Sequence, residues 1–390
     1  MKSPLLDNPF VLAPMAGITD MPFRRLMKKM GAGCVISEFV SAHAVVQQKK
    51  KKSRYLNFHQ DERPVGIQLF GGHEDMLVEA SKILEQLGVD FVDINFGCPV
   101  PKVTKSGGGS AWLCHPIELS KLLERVKAAI KIPLTIKIRT GWDENSINAK
   151  EIVKIASEAG VHWVAVHGRT RAQGYSGNAN WNFLSELASE SPIPIIGNGD
   201  IVNGAQAAAR YVSSGCHGVM IGRGALKNPW IFLEAVEALK RFDEIKNEEK
   251  EAYAEAVLSE YQMPSAGELS AGQEYYNRKV KRMQPIPVNF VADWVRIRAD
   301  RDVMALINLH LSLLREVYNE ERVEFSFRKF LAWYAAGYPG AHQFRKFIFT
   351  TQDFSLVVAR AFEYFEEIKS LGQKADAHRE AAPVLMSGHG

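Results

Sequence analysis

The sequence predicts an α/β fold, a (β/α)8 TIM barrel followed by a smaller all-helical C-terminal domain, and three observations carry that prediction. Eight short β-rich runs alternate with amphipathic helical stretches through residue 240. A chain of about 240 residues is the ordinary size for such a barrel. After residue 240 the strand pattern stops, and from 290 onward long helical runs take over. A doubly wound sheet is the structural alternative. It calls for G-x-G-x-x-G after the first strand, and Met15–Ala16–Gly17 does not supply it.

The β-rich runs, in order, are "FVLAP" at 10–14, "CVISEF" at 34–39, "VGIQLF" at 65–70 and "FVDINFG" at 91–97. They continue with "LTIKIRT" at 134–140, "WVAVHGR" at 163–169, "IPIIGNGD" at 193–200 and "GVMIGRG" at 218–224. Each is a short apolar run closed by glycine, proline or polar residues, the pattern of a buried parallel strand. Between them lie helical stretches such as 74–88, where Met76, Leu77, Ala80, Ile83, Leu84 and Leu87 fall on one face.

The spacing divides the chain into a barrel over 1–240, a connecting segment or insertion over 241–289, a helical domain over 290–370 and a disordered tail over 371–390. The connecting segment opens on an acidic helical stretch, 243–260, and continues as the loop "QMPSAGELSAGQ" at 262–273. The helical domain reads as "VRIRADRDVMALINLHLSLLREVYNEE", "FRKFLAWYAAGYPGAHQFRKFIF" and "FSLVVARAFEYFEEIKSLG".

Composition excludes several classes. Hydrophobic residues at 46% and charged residues at 24% are ordinary for a soluble globular protein. No apolar stretch reaches the roughly 20 residues of a membrane span, and "MKSPLLDNPF" lacks a signal-peptide core. The cysteines at 34, 98, 114 and 216 form no C-x-x-C, so neither a disulfide framework nor a zinc site is expected. A cytoplasmic monomer without metal or membrane contact is the expectation. A net charge of +4 permits a nucleic-acid partner without arguing for one. The clusters "KKKKSR" at 49–54 and Arg278, Lys279, Lys281 and Arg282 read as solvated faces when taken singly.

Barrel enzymes build their sites at the carboxyl ends of the strands. Here those ends carry Pro14–Met15–Ala16, Glu38, Gln68, Asn95 with Cys98, Lys137 with Arg139, His167 with Arg169, Asn198–Gly199–Asp200, and Gly222–Arg223. Singly, Gln68 could cap a strand, His167 could be a core histidine and Asp200 a helix cap. Gathered on one rim, they read as a site. "GNGDI" at 197–201 and "IGRGAL" at 221–226 put glycine N–H groups where an anion can approach, and Arg223 adds a charged fork. A phosphate site after strands seven and eight is the common barrel arrangement. Lys137 suits the electron-rich pyrimidine edge of a reduced flavin, with Gln68 on another side of the ring. Together these residues read as an FMN site.

The motifs "LAPMAGITDMPFRRL", "QLFG", "DINFGCPVPKV", "IKIRTGW", "VHGRTR", "GNGDI" and "IGRGAL" with "NPWIF" resemble the tRNA-dihydrouridine synthases, in particular the bacterial B-type branch. The resemblance runs over residues 10–235 and resumes at "FRKFLAWYAAGYPGA", 327–341. It implies an FMN-binding barrel, a helical domain that binds tRNA, and NADPH-dependent reduction of D-loop uridines to dihydrouridine. It places FMN on Pro14, Met15, Ala16, Gln68, Lys137, His167, Asn198, Gly199, Asp200, Gly222 and Arg223, and Asn95 and Arg171 at the uracil edge. It makes Cys98 the catalytic acid. Uracil's C5=C6 bond is conjugated to the C4 carbonyl, so hydride adds at C6 and C5 then needs a proton. A thiol with a pKa near 8.5 still carries one at neutral pH. The other cysteines read as structural.

The chain departs from the family at residue 330 and over 241–326, a segment longer and less recognisable than expected, and it lacks an expected feature besides. Phe330 stands where family members usually have histidine, and residues 241–390 hold 20 Lys+Arg against 22 Asp+Glu, so the helical domain is not basic overall. Two other readings remain: a flavin barrel acting on a free pyrimidine, like dihydroorotate dehydrogenase, and a tRNA-binding protein that has lost catalysis. The first needs no helical RNA-binding domain. The second could shed Cys98, Lys137 and Arg223, which are all present.

Overall fold

The computed structural model describes residues 5–47, 56–259, 302–336 and 338–370. The basic clusters at 49–54 and 278–282, the 262–273 loop and the 371–390 tail lie outside the described residues. The chain forms two compact units. One comprises residues to Gly222 together with Trp230–Leu258; the other comprises Arg223–Pro229 and the described residues from Ser259 on.

The first unit is a barrel. Its strands are β1 (Phe10–Leu12), β2 (Cys34–Ile36), β3 (Val40–Ser41), β4 (Val65–Phe70) and β5 (Phe91–Phe96). They continue with β6 (Leu134–Arg139), β7 (Trp163–His167), β8 (Ile195–Asn198) and β9 (Gly218–Ile221). All neighbours pair in parallel, β9 returns to β1 and β2 bridges to β4, so eight strand positions close the sheet. Closure leaves no sheet edge exposed.

The second strand position is split, against the expectation of one strand over 34–39. β2 pairs with β4 through Val35 and Ile36, and β3 resumes the pairing at Val40 opposite Leu69. Between them the Ser37 hydroxyl accepts the Gln68 amide hydrogen at 3.1 Å, taking the place of a strand carbonyl. Glu38 turns its carboxylate to the Gly17 N–H at 2.7 Å. The Ser37 and Glu38 N–H groups still reach the Gly66 and Thr19 carbonyls, so these side chains add to the backbone bonds at the split.

Helices alternate with the strands as the sequence pattern requires. In the first, Met21–Lys29, Asp20 caps the start by accepting from the Phe23 N–H, a contact worth about 1 kcal/mol. The same helix sends Arg24 inward, where its Nε donates to Glu62 Oε2 at 2.7 Å and its Nη1 to the Thr19 carbonyl at 2.9 Å. Both charges are buried. This pair fixes the turn between β1 and its helix, the segment that holds Met15 and Ala16. The barrel unit also extends past residue 240 to Leu258, because the helix Ile231–Glu244 buries Ile231, Phe232, Ala235, Ala238 and Phe242.

Among the described residues beyond 302 the second unit contains four helices: Val303–Arg315, Glu320–Tyr334, Ala341–Thr350 and Phe354–Ser370. The run read from sequence over 327–349 is broken at Tyr338–Gly340, where Pro339 has no N–H to continue a helix. Asn319 makes the preceding break by capping the next helix through the Arg322 N–H. Aromatic side chains fill this core. Phe330 is fully buried, with its ring centroid 4.4 Å from that of His310, whose Nδ1 lies 2.8 Å from the Tyr334 hydroxyl. Phe344 stacks on Tyr364 at 4.3 Å. Among the described residues no helix is long and apolar enough to cross a membrane.

Candidate active site

Inside the barrel the inward-facing positions change from apolar to polar along the strands. Val11, Cys34, Ile36, Phe91, Trp163, Ile196 and Met220 form one buried cluster, with Phe91 edge-on to Trp163 at 5.3 Å. Strand side chains alternate with period two. Following Phe91 along the same face of β5 come Asp93 and then Asn95, both buried.

Register brings these to their partners: Gln68 beside Asp93 beside Thr135, and Asn95 beside Lys137. Asp93 accepts from Gln68 Nε2 and from the Thr135 hydroxyl, each at 2.6 Å. Gln68 Oε1 accepts from Asn95 Nδ2 at 2.8 Å. Asn95 Oδ1 in turn accepts the peptide N–H groups of Gly97 at 3.0 Å and Cys98 at 2.8 Å. Four side chains are thereby linked to the turn that carries Cys98.

That turn is held on its other side too. The Cys98 carbonyl accepts from the Ser110 N–H at 3.2 Å and from the Ser110 hydroxyl at 2.9 Å. The Gly97 carbonyl accepts from Arg139 Nε at 2.9 Å. Arg139 also donates to the carbonyls of Thr170 and Gly174, which ties the loop after β7 to the same point. Gly109 lies beneath the turn with φ +59°, and a Cβ there would sit 2.8 Å from the Cys98 carbonyl oxygen. Only glycine meets both demands.

Electrostatics follow from burial. The Cys98 thiol is pushed up, chiefly by burial, against the pull of its local hydrogen bond and of Arg139 and Lys137. It therefore carries its proton at neutral pH. Burial pushes the Asp93 carboxyl up to about 6 despite the Thr135 and Gln68 hydrogen bonds and Lys137. Burial and Arg139 pull the Lys137 ammonium down to about 8, with Asp93 and Cys98 opposing.

The loops after β7 and β8 are fastened by Arg169. Its Nη1 and Nη2 donate to the two Asp200 oxygens, and its remaining bonds reach the Ser176 and Gly177 carbonyls. His167 Nε2 lies 3.3 Å from the same guanidinium. Asn198 Nδ2 donates to the Met220 carbonyl at 2.8 Å, so the ends of β8 and β9 are also fixed together.

The turn Pro14–Met15–Ala16 is closed by Thr19, whose hydroxyl accepts from the Met15 N–H at 3.0 Å. Met15 also lies beside Gly222, where a Cβ would meet only Ala13 Cβ at 3.5 Å and Met15 Sδ at 3.7 Å. The chain's own packing therefore has no need of glycine at 222. Arg223 follows directly and belongs to the second unit with the short helix Gly224–Lys227. Arg171 sits apart from Asn95's chain, its guanidinium 4.2 Å over the Trp142 ring. Among the described residues no group of three His, Cys, Asp or Glu side chains could hold a metal.

Comparison with known proteins decides the lineage. The family model described as dihydrouridine synthase matches residues 11–286. The chain belongs to the dihydrouridine synthase family. Its similarity to curated members extends through the helical unit. It is 32% identical to tRNA-dihydrouridine synthase B of Pseudomonas aeruginosa, covering 94% of this chain and 96% of the relative. It is also 32% identical to the Pseudomonas putida protein of that name, covering 97% of each. A probable tRNA-dihydrouridine synthase of Rickettsia conorii is 33% identical over 93% of this chain and 95% of its own length.

Within this dihydrouridine synthase chain, sequence reasoning missed Asp93, Thr135, Ser110 and Tyr175. Asp93 had a signal: a carboxylate on the same face as Phe91 in a strand otherwise apolar must find donors inside. Ser110 and Thr135 had none, since nothing in their neighbourhoods says what they will touch. Tyr175, half exposed, lies 6.1 Å from His167 and 5.6 Å from the Arg139 guanidinium, between ring centroid and group. It reaches them only because its loop folds back.

Proposed function

We propose that this chain reduces uridine in the D-loop of tRNA to 5,6-dihydrouridine, with FMN as bound cofactor and NADPH as electron donor, working as a cytoplasmic monomer. The relatives' names supply the substrate class. The observation that carries the chemistry is Cys98: a thiol kept protonated by burial, on a turn whose N–H and carbonyl are both taken by side chains. Such a group can give up a proton from one place, repeatedly.

FMN would lie against Pro14–Ala16, Gln68, Lys137, His167 and Asn198–Asp200, with its phosphate at Gly222 and Arg223, and when bound it supplies the hydride that adds at C6 of uracil. Gly222 fits this: a glycine that the protein's packing does not require leaves room for an outside group. Lys137 fits as well, since a half-buried ammonium pulled down to about 8 gains by meeting an electron-rich partner. Cys98 Sγ–H delivers the proton to C5. Asn95 and Arg171 would meet the uracil edge, Asn95 with the capacity left after its bonds to Gln68 and the turn.

The helical unit is the proposed tRNA platform. On the helix Ala341–Thr350, His342, Gln343, Lys346 and Phe349 are exposed. A mixed basic and aromatic surface of that kind suits RNA phosphates and unstacked bases. Arg328, on the helix Glu320–Tyr334, is differently engaged: it donates to the Ile348 and Thr351 carbonyls and finishes the helix Ala341–Thr350.

The test is direct. Purified protein should show an oxidised-flavin spectrum and should form dihydrouridine in unmodified tRNA when given NADPH. Colourless protein, or activity on free uracil or dihydroorotate with none on tRNA, overturns the reading.

A further inference from the structure

Every link of the hydrogen-bonded chain inside the barrel donates in the same sense. Gly97 and Cys98 N–H donate to Asn95, Asn95 donates to Gln68, and Gln68 donates to Asp93. A peptide N–H can only donate and a carboxylate can only accept, so the two ends dictate which way both amides face. The Thr135 hydroxyl completes the far end. Gln68 and Asp93 have no exposed surface, so water is not at hand to replace a lost partner.

We propose that Asp93 is a positioning residue for uridine reduction: its carboxylate sets the sense of the Gln68 and Asn95 amides and through them holds the Gly97–Cys98 turn. The proposal rests on the reading of Cys98 as proton donor. Asp93 acts on the thiol only through two intervening amides. Reversing those amides would turn the Asn95 NH2 toward the Gly97 and Cys98 N–H groups, donor against donor, and the turn would open.

A suppressor pair tests this in the full-length flavin-loaded protein. Asn95→Asp still accepts from the turn but opposes Gln68 Oε1 with a second acceptor. Turning Gln68 over moves the conflict to Asp93 without removing it. Adding Asp93→Asn resolves it: Gln68 can then donate to the new carboxylate at 95 and accept from the new amide at 93, while Thr135 still has an acceptor. Asp93→Asn should therefore rescue Asn95→Asp, although the two positions communicate through Gln68.

The readout is alkylation of Cys98 by iodoacetamide, resolved by peptide and compared at matched flavin occupancy. Cys34 and Cys216, both buried, report general unfolding. Asn95→Asp should speed Cys98 labelling by about tenfold or more while Cys34 and Cys216 stay protected, and the double variant should return to within about threefold of wild type. A double variant no better than Asn95→Asp overturns the proposal, as does labelling of all three thiols in step. Should Asn95→Asp not accumulate, Gln68→Met severs both inner links at similar volume, and a Cys98 that stays protected there also overturns it. None of these readouts needs turnover. A Cys98→Ala protein that reduces tRNA normally would instead defeat the proton-donor reading, leaving the labelling results as they stand.

Discussion

Arg169 grips Asp200 with both prongs, Nη1 to Oδ1 at 2.8 Å and Nη2 to Oδ2 at 2.7 Å. Asp200 has φ +54°, the one positive value among the described non-glycine residues. It also accepts the Ala179 N–H at 2.7 Å. A bare carboxylate beside the proposed phosphate loop would repel the ligand, and the guanidinium cancels that charge. Arg169→Gln should therefore lower stability by about 2–4 kcal/mol, somewhat less than a fully buried pair because Asp200 is partly open to solvent. It should weaken flavin retention as well. Asp200→Asn, which keeps an acceptor, should cost less on both counts. Urea unfolding and flavin content check this, and equal losses in the two variants would refute it.

The proposed phosphate site makes a sharper demand at Gly222. Because a Cβ there meets nothing closer than 3.5 Å, Gly222→Ala should leave the melting temperature of the flavin-free protein unchanged. Flavin occupancy should nevertheless fall. Arg223→Ala should weaken retention by about 2–3 kcal/mol, the loss of a charge-assisted contact. Full occupancy in both variants would mean the site is misplaced.

For Cys98, the prediction separates two half-reactions. Cys98→Ala should accept electrons from NADPH at a near-normal rate, while reoxidation by tRNA drops by roughly 10²–10⁴-fold. Burial raises the thiol's pKa, so the sign of the pH effect is fixed. The proton-carrying form persists through neutral pH, and alkylation should still be climbing at alkaline pH where a free peptide thiol has levelled off. An early plateau would contradict the assignment. Deuterium delivered from labelled reductant should appear at C6, and its appearance at C5 would point to Cys98 as a nucleophile instead.

In the helical unit, proposed RNA contacts can be told apart from structural cations. Lys346→Glu should weaken tRNA binding and reduce the slope of log affinity against log salt by about 1 per lost phosphate contact. Its fold should be unaffected, since Lys346 is exposed. Arg328→Glu should instead destabilise the unit by removing the hydrogen bonds that finish the helix Ala341–Thr350. Salt titrations and melting curves of the two variants tell these apart, and an unchanged salt slope in Lys346→Glu would remove this face from the platform.

Particular residues show what could be read from sequence. The barrel was legible because each strand is a closed apolar run and each helix has a striped face, two periodicities that survive without tertiary context. Strand ends were legible for the same reason, so Gln68, Asn95, Lys137 and His167 could be named together. The split at Ser37 was not, because a hydroxyl that replaces a carbonyl leaves no periodic trace. Nor could the sequence say that Arg328 would finish a helix while Lys346 would face outward. Both are basic residues within 327–349, yet they lie on different helices: the burial of Phe344 and Ile348 turns Lys346 outward, while Arg328 reaches from the helix before the break to the end of the next. Asp93 belongs between these cases: its position was readable, but its partners lie on neighbouring strands.

The buried cluster of Phe91, Trp163 and their neighbours adjoins Asp93 and Asn95 on β5 and offers a proton no polar partner. Under the proposed chemistry, Cys98 leaves each cycle one proton short, and with apolar side chains behind it the replacement comes from the side on which the reduced nucleoside leaves. Product that lingers would delay the recharging of the thiol, so departure of the tRNA and readiness for the next one are governed by the same event.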